Sequence, residues 1–253
     1  AEDVMRSYIL GEMESVRSKL GVEPVLRMHL LALIASRFVF DTKSLEYFFQ
    51  RTLYAHQFKD TDSLMRMLHA LLKELESLEF IEGEEGRFFC TKIGQRVAEL
   101  YLDPLSAHAM IQKLKQKGLS EYGLLYTLVD TTEFRPYVRV PAKAEAETWE
   151  ELQMNWEKLP IEDASVLMAD QDILEKWQTP AFLGEWIKEV NEQQLLDKFN
   201  IAPGVIRTKL LNADWLLYGM QELAPLIGQQ TKQGSIAKMR KRVASGIKEE
   251  LIL

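Results

Sequence analysis

The sequence has 253 residues, a formal net charge of −7 and one cysteine, Cys90. Apolar residues make up 47% of the chain and charged residues 27%, which excludes collagen-like, disulfide-stapled and wholly disordered chains. A lone cysteine forms no internal disulfide, so we expect a reducing, intracellular compartment. No run of 18 apolar residues and no signal-peptide pattern occur, which argues against a membrane span. Because the sequence begins at Ala1 without methionine and stops abruptly at Leu253, we expect it to be part of a longer polypeptide.

Three helical patterns and one hairpin pattern occupy the first hundred residues. Apolar residues recur at helical spacing from Glu23 to Arg37, with Pro24 in the first turn. Asp41 is placed to cap a second helix, and Thr61 opens a third. Two short β-prone runs then flank residues 83–86, which is a hairpin signal. Three helices followed by a two-stranded ribbon predict a winged helix, with the ribbon as its wing.

The Asp103-Pro104 step is the best candidate for a domain boundary, because the residue before a proline is disfavoured in helices. After it the periodicity predicts helices over about 104–117, 120–130, 144–159, 163–178, 180–190, 192–199, 203–228 and 232–249. The step at Thr179-Pro180 is predicted to break one helix into two. The predicted fold class is therefore mainly α, with a linker segment over 1–20, a winged-helix domain with a small β-hairpin wing over 21–103, and an all-α bundle over 104–253.

The charges are unevenly distributed along the chain. Residues 145–175 contain ten acidic side chains and one lysine, whereas residues 232–248 contain six basic side chains and no acidic one. Both segments can be solvated helix faces. Alternatively, the basic end faces the phosphates of a nucleic acid and the acidic block is turned away from them.

Motifs for catalysis are missing from the sequence. It contains no phosphate-binding loop, no GxGxxG, no GxSxG and no HExxH pattern. The four histidines are scattered, and Cys90 has no histidine beside it, so neither a metal site nor a nucleophile is predicted. Taken alone, the chain is expected to be inactive as an enzyme.

The pattern from Pro203 to Gly228 predicts one long helix with a continuous apolar stripe. The stripe consists of Ile206, Leu210, Ala213, Leu217, Met220, Ala224 and Ile227. At 100° per residue, Trp215 lies on the opposite face, together with Thr208, Leu211 and Tyr218. Two interpretations stay open: a central helix buried on both faces, or an aromatic platform on which an unpaired base can stack.

Three stretches, in this order and at this spacing, resemble one protein family. They are Tyr8–Leu20 with Leu26–His29, Thr91–Pro104, and Ile201–Leu216 with Arg242–Leu251. Together they resemble the C-terminal accessory region, a winged helix plus a ratchet bundle, of an archaeal superfamily 2 DNA helicase of the Ski-two-like, Hjm/HelQ type.

The resemblance implies a function in which two RecA-like motor domains of the same polypeptide use ATP and Mg²⁺, while this chain holds no cofactor. Such helicases translocate 3′ to 5′ on single-stranded DNA and act at stalled or branched forks. The implied partners are single-stranded or forked DNA and the motor domains, and no membrane. A monomer with a cytoplasmic, nucleoid-associated location is implied as well.

The resemblance also implies which residues contact DNA. In the family, a basic residue and a tryptophan on the ratchet helix touch successive bases. The tryptophan corresponds to Trp215, but the arginine expected seven residues earlier corresponds to Thr208. The predicted nucleic-acid-binding residues are Trp215, Arg207, Thr208, Lys209, Leu211, Arg240 and Arg242.

Two other functions stay open. A winged helix can belong to a regulator that binds duplex DNA through its third helix. Acidic residues on that helix and on the wing tip, among them Glu76, Glu82 and Glu84, would repel phosphates, which favours a winged helix that packs against the motors. The chain can also be a protein-binding scaffold from a related RNA helicase.

Overall fold

The computed structural model describes residues 2–11, 15–58, 60–161, 165 and 169–252. Over these residues the fold is mainly α with one two-stranded antiparallel sheet, so the predicted fold class is confirmed. None of the helices described here has both the length and the apolar character that a bilayer crossing demands.

The first half contains six helices and the sheet, within the described ranges. Their bounds are α1 Glu2–Leu10, α2 Glu23–Ala35, α3 Thr42–Phe49, α4 Leu53–Phe58, α5 Thr61–Ser77, β1 Ile81–Glu84, β2 Arg87–Cys90 and α6 Lys92–Glu99. The patterns above predicted α2, α3, α5 and both strands. The helical spacing of Ile93, Val97, Leu100 and Tyr101 after Thr91 likewise predicts α6, whereas α1 and α4 were not predicted. Helix α1 lies in the predicted linker segment, of which residues 1 and 12–14 are outside the described residues.

Local chemistry explains how the winged helix forms. The Asp41 carboxylate accepts a hydrogen bond from Ser44 N at 2.7 Å and caps α3 as predicted. The two strands pair with Ile81 opposite Cys90 and Glu84 opposite Arg87. Gly86 has a φ of +77° in the turn between them, a conformation that glycine adopts without steric cost. The hairpin is therefore the wing that the sequence predicted.

Helices joined by irregular segments such as 135–141 make up the described residues of the second half. The bounds are α7 Pro104–Lys115, α8 Glu121–Val129, α9 Glu145–Asn155, α10 Ile173–Trp186, α11 Glu192–Phe199, α12 Pro203–Leu226 and α13 Gln230–Ser245. Single 3-10 turns lie at Thr132–Phe134, Ala142–Ala144, Trp156–Lys158 and Glu249–Leu251. The predicted helix over 163–178 begins in a part of the chain where residues 162–164 and 166–168 lie outside the described residues.

Helix α10 corrects the predicted break at Pro180, because the helix continues through this proline to Trp186. Proline lacks the N–H that would bond to the carbonyl four residues earlier. The Thr179 hydroxyl donates to the Glu175 carbonyl at 2.7 Å and accepts from Val138 N at 2.9 Å, so the turn is held by other bonds. Burial of Phe182 on the same helix adds packing energy that a local pattern does not reveal.

One hydrophobic core extends across both halves of the molecule. It joins residues of α2, α5 and α6 to residues of α7, α8 and α12, and Leu102 beside the predicted boundary is fully buried in it. The domain limits at 103 and 104 stay a prediction, although α7 does begin at Pro104. A second, smaller cluster packs α8, α9 and α10 around Trp177.

Candidate nucleic-acid interface

Helix α12 is positioned by its buried stripe. Pro203 occupies the first turn, where its missing N–H costs no hydrogen bond. Five of the seven stripe residues are buried, and Leu210 and Ile227 are partly buried against the core. The buried five are Ile206, Ala213, Leu217, Met220 and Ala224. The predicted core face is therefore confirmed, while Trp215 and Tyr218 on the opposite face are partly buried and also pack against this core.

The first half of the opposite face is exposed to solvent. Leu211 is 63% exposed, and Arg207 and Thr208 are exposed beside it. The Thr208 hydroxyl donates to the Gly204 carbonyl at 3.0 Å, so it is engaged locally and leaves an uncharged surface. Arg207 forms no hydrogen bond or ion pair with any of the residues that the structure describes. Its guanidinium is consequently available to an anion.

Trp215 lies where this exposed face meets the winged helix. Its ring is partly buried, and Nε1 donates a 3.1 Å hydrogen bond to the carbonyl of Leu100, the cap residue that follows α6. The indole is therefore held in one orientation without being sealed inside the bundle. Sequence reasoning missed Leu100 as the partner, because a backbone carbonyl carries no residue-type signal.

Beyond Trp215 the same face of α12 is covered by two arginines. Arg96 on α6 donates to the Tyr218 hydroxyl at 3.2 Å and to Glu222 at 2.8 Å. On the other side, the guanidinium of Arg240 lies 4.8 Å from the centre of the Tyr218 ring. Tyr218 is thereby occupied by protein contacts, and the accessible part of the face ends near Trp215.

Lys209 is a correction to the predicted interface. The residue is only 3% exposed, and its ammonium donates to the carbonyls of Phe134 and Pro136. It also lies 4.8 Å from the centre of the Phe134 ring. Burial lowers the pKa of this ammonium to about 8. Lys209 thus anchors the connection after α8 and does not face a strand that passes along α12.

The two arginines of α13 are paired with carboxylates of the protein. Arg240 pairs with Asp214, with Nε 2.7 Å from Oδ1 and Nη2 3.3 Å from Oδ2, and this bonding raises the pKa of the arginine. Arg242 is buried, and its Nη1 donates to the Glu121 carboxylate. Their charges are matched within the protein, so the basic segment over 232–248 is largely structural at these positions. Of the seven predicted residues, Arg207, Thr208 and Leu211 are exposed on α12 and Trp215 is partly buried on the same helix.

No alternative chemistry gathers elsewhere in the described part of the chain. There, no three or more His, Cys, Asp or Glu side chains come together as metal ligands would. Cys90 is partly buried, and burial raises the pKa of its thiol to about 11, so the side chain is a poor nucleophile at neutral pH.

Comparisons with known proteins match this chain to archaeal helicases. Residues 122–246 match the family model described as archaeal helicase, domain 4. The chain is 34% identical over 254 residues to the ATP-dependent DNA helicase Hel308 of Methanocaldococcus jannaschii, a match that covers 99% of this chain and 20% of that protein. The chain belongs to the C-terminal region of the archaeal Hel308-type helicase family.

Two further Hel308 helicases match over 99% and 100% of the chain. That of Methanococcus vannielii is 29% identical and that of Pyrobaculum calidifontis 30% identical, and the matches cover 38% and 35% of those proteins. The chain therefore spans between about a fifth and two fifths of the length of these Hel308 relatives. The domain 4 match begins in α8 and ends at Gly246, so it includes all of α12 and Trp215.

Proposed function

We propose that this chain is the non-catalytic accessory region of an ATP-dependent 3′–5′ DNA helicase and guides the translocating single strand along α12. The observation that carries the proposal is the partly exposed Trp215 indole, fixed by Leu100 at the end of an otherwise open helix face. The Hel308 relatives, whose names describe ATP-dependent DNA helicases, support it.

A fixed indole suits a strand that moves. Stacking of a base on an aromatic ring contributes about 1–3 kcal/mol and is tolerant of sequence, because every base has a π-face. The hydrogen bond to Leu100 keeps the ring in place while successive bases pass. An aromatic platform of this kind binds single strands of any sequence and does not bind one particular sequence so tightly that the strand stops moving.

Electrostatics contributes less than stacking in this proposal. Arg207 is the charged side chain on the open face, and it replaces in function the arginine that the family carries at the position of Thr208. One phosphate contact by Arg207 corresponds to a salt slope of about −0.7 for single strands. With a net charge of −7, the chain should bind weakly and lose affinity as salt increases.

The remaining parts of the function belong to the complete helicase. ATP and Mg²⁺ would be bound by RecA-like motor domains of the same polypeptide, against which the winged helix packs. The complete helicase would act in the repair or restart of stalled forks. It would be a monomer that is cytoplasmic and associated with the nucleoid.

Binding of a fluorescently labelled oligothymidylate to the chain tests the proposal. Trp215→Ala should weaken binding by about 5- to 100-fold, since it removes one stacking platform. Trp215→Phe should retain most of the affinity, because it keeps a ring and loses only the bond to Leu100. Trp149→Ala is the matched control, since Trp149 is a partly buried tryptophan in the other hydrophobic cluster. Wild-type affinity in a folded Trp215→Ala variant would contradict the proposal.

Competition experiments separate the other two functions. Unlabelled duplex DNA should compete poorly with the labelled single strand, and equal or better competition would favour a duplex-binding regulator. A matched RNA strand that binds more tightly than the DNA strand would favour an RNA helicase region. In the polypeptide that includes the motors, Trp215→Ala should slow unwinding more than ATP hydrolysis.

A further inference from the structure

Tyr101 has an unusual backbone conformation beside the candidate interface. Its φ is +56°, in the left-handed region, and its side chain is 66% exposed. The residue follows α6 in a helix-ending turn, with Tyr101 N bonded to the Ala98 carbonyl and Leu102 N bonded to the Val97 carbonyl. Glycine is the usual residue at this position, because any other L-residue meets steric strain there.

The backbone strain at Tyr101 is not offset by a side-chain hydrogen bond to any described residue. The Tyr101 hydroxyl has no hydrogen-bond partner among the residues that the structure describes. Two other helix-ending turns place Arg37 and Glu79 in the same left-handed conformation, with φ of +60° and +61°. Those side chains are polar and lose nothing by exposure. Among the described non-glycine residues with positive φ, Tyr101 is the one aromatic, and it holds an apolar ring in water as well.

The segment that carries Tyr101 is fixed along α12. The carbonyl of Leu100 accepts the hydrogen bond from Trp215, so the peptide bond that joins Leu100 to Tyr101 lies directly against the indole nitrogen. On the other side, Asp103 N donates to the Glu133 carboxylate at 2.8 Å, and Asn212 donates to the Glu133 carbonyl at 3.2 Å. The strained residue is thereby held next to the helix turn that ends in Trp215.

We propose that Tyr101 is a second aromatic contact for the single strand and holds a base or sugar next to the one on Trp215. The inference deepens the proposed function and rests on it. Strained backbone at a position that the surrounding structure fixes is a known feature of binding sites. Here the turn presents a ring that a glycine, which would relieve the strain, cannot supply. With one ring after α6 and the other on α12, the strand would pass from the winged helix to α12.

Replacement of Tyr101 separates binding from folding. Tyr101→Gly removes the ring and the strain together, so the melting temperature should stay equal or rise while affinity for oligothymidylate falls about 3- to 30-fold. Tyr101→Phe should bind like the wild type, since stacking does not need the hydroxyl. Glu79→Gly is the matched control, because it makes the same backbone change in the same kind of turn and should leave affinity unchanged.

The outcomes distinguish this inference from the proposed function. If Trp215→Ala weakens binding and Tyr101→Gly binds like the wild type, the role of Tyr101 is wrong and the proposed function stands. If both variants bind like the wild type, the proposed function fails as well. A loss of affinity in Tyr101→Gly no larger than that in Glu79→Gly also contradicts the inference, and so does a loss confined to duplex DNA.

Discussion

Arg27 and Asp103 form a buried, two-pronged ion pair across 76 residues of sequence, with Nε 2.8 Å from Oδ1 and Nη2 3.1 Å from Oδ2. Arg27 also contacts Glu74 at 3.0 Å, and the Asp103 carboxylate accepts a hydrogen bond from the Thr132 hydroxyl at 3.3 Å. The pair therefore connects α2 and α5 of the winged helix to the start of α7. It stabilises the contact between the first half, which carries Tyr101, and the second half, which carries Trp215.

Loss of one partner of this pair should be strongly destabilising. Arg27→Met leaves the Asp103 carboxylate buried without its counter-charge, and we expect the free energy of unfolding to fall by about 3–5 kcal/mol. Urea unfolding followed by circular dichroism measures it. Lys188→Ala is the control, because the Lys188–Glu185 pair is exposed on the lysine side and should contribute less than about 1 kcal/mol. Equal losses in the free energy of unfolding for the two substitutions would show that the buried pair contributes no more stability than the exposed pair.

Gly94 and Gly184 should respond to alanine in opposite directions. A Cβ on Gly94 would lie 2.0 Å from the carbonyl oxygen of Phe80, so Gly94→Ala must push α6 away from the wing. We expect a loss of more than about 2 kcal/mol. Gly184, inside α10, has open space around its added Cβ, and Gly184→Ala should stabilise the protein by about 0.5–1 kcal/mol. Thermal unfolding of the two variants checks the signs, and a stable Gly94→Ala variant would contradict the close contact.

Lys209 should make stability depend on pH in the alkaline range. Its pKa in the folded protein is about 8, below the ordinary value of 10.5, so the folded state releases the proton at lower pH than the unfolded chain. Stability should therefore rise as the pH increases from about 8 to 10.5, relative to a Lys209→Met variant, by up to about 3 kcal/mol.

Urea unfolding of the wild type and of Lys209→Met at several pH values measures this difference. Lys241→Met, an exposed substitution on the outer side of α13, should stay within about 0.5 kcal/mol of the wild type throughout. A difference for Lys209→Met that stays flat with pH would mean that the ammonium is solvated. Titration of the lysine side-chain signals by NMR gives the midpoint directly.

Much of the fold could be predicted from local sequence patterns. The leucine spacing of α2, the cap at Asp41 and the glycines of the hairpin each act over a few residues, so the sequence predicts the elements that they define. The Pro180 prediction was wrong for the same reason. A local rule breaks the helix there, whereas contacts with Val138 from a distant segment support it.

Only part of the candidate site could be predicted from the sequence. Helical periodicity separates the Trp215 face of α12 from its core face, and the resemblance to the helicase family marks Trp215 itself. Periodicity does not say which side chains on the outer face meet another element. Lys209 was therefore assigned to DNA, although its stem is long enough to reach the buried carbonyls of Phe134 and Pro136.

By itself the sequence determined most of the helices, the wing, the apolar stripe of α12 and the family, because each depends on neighbouring residues or on matched motifs. The tertiary structure decided which charges are neutralised and which ring stays accessible. Arg242 pairs with Glu121 within the protein, and the hydrogen bond to the Leu100 carbonyl fixes the orientation of Trp215. Such pairings join residues more than 100 positions apart, and their free energy depends on burial and distance, which exist only once the chain has folded.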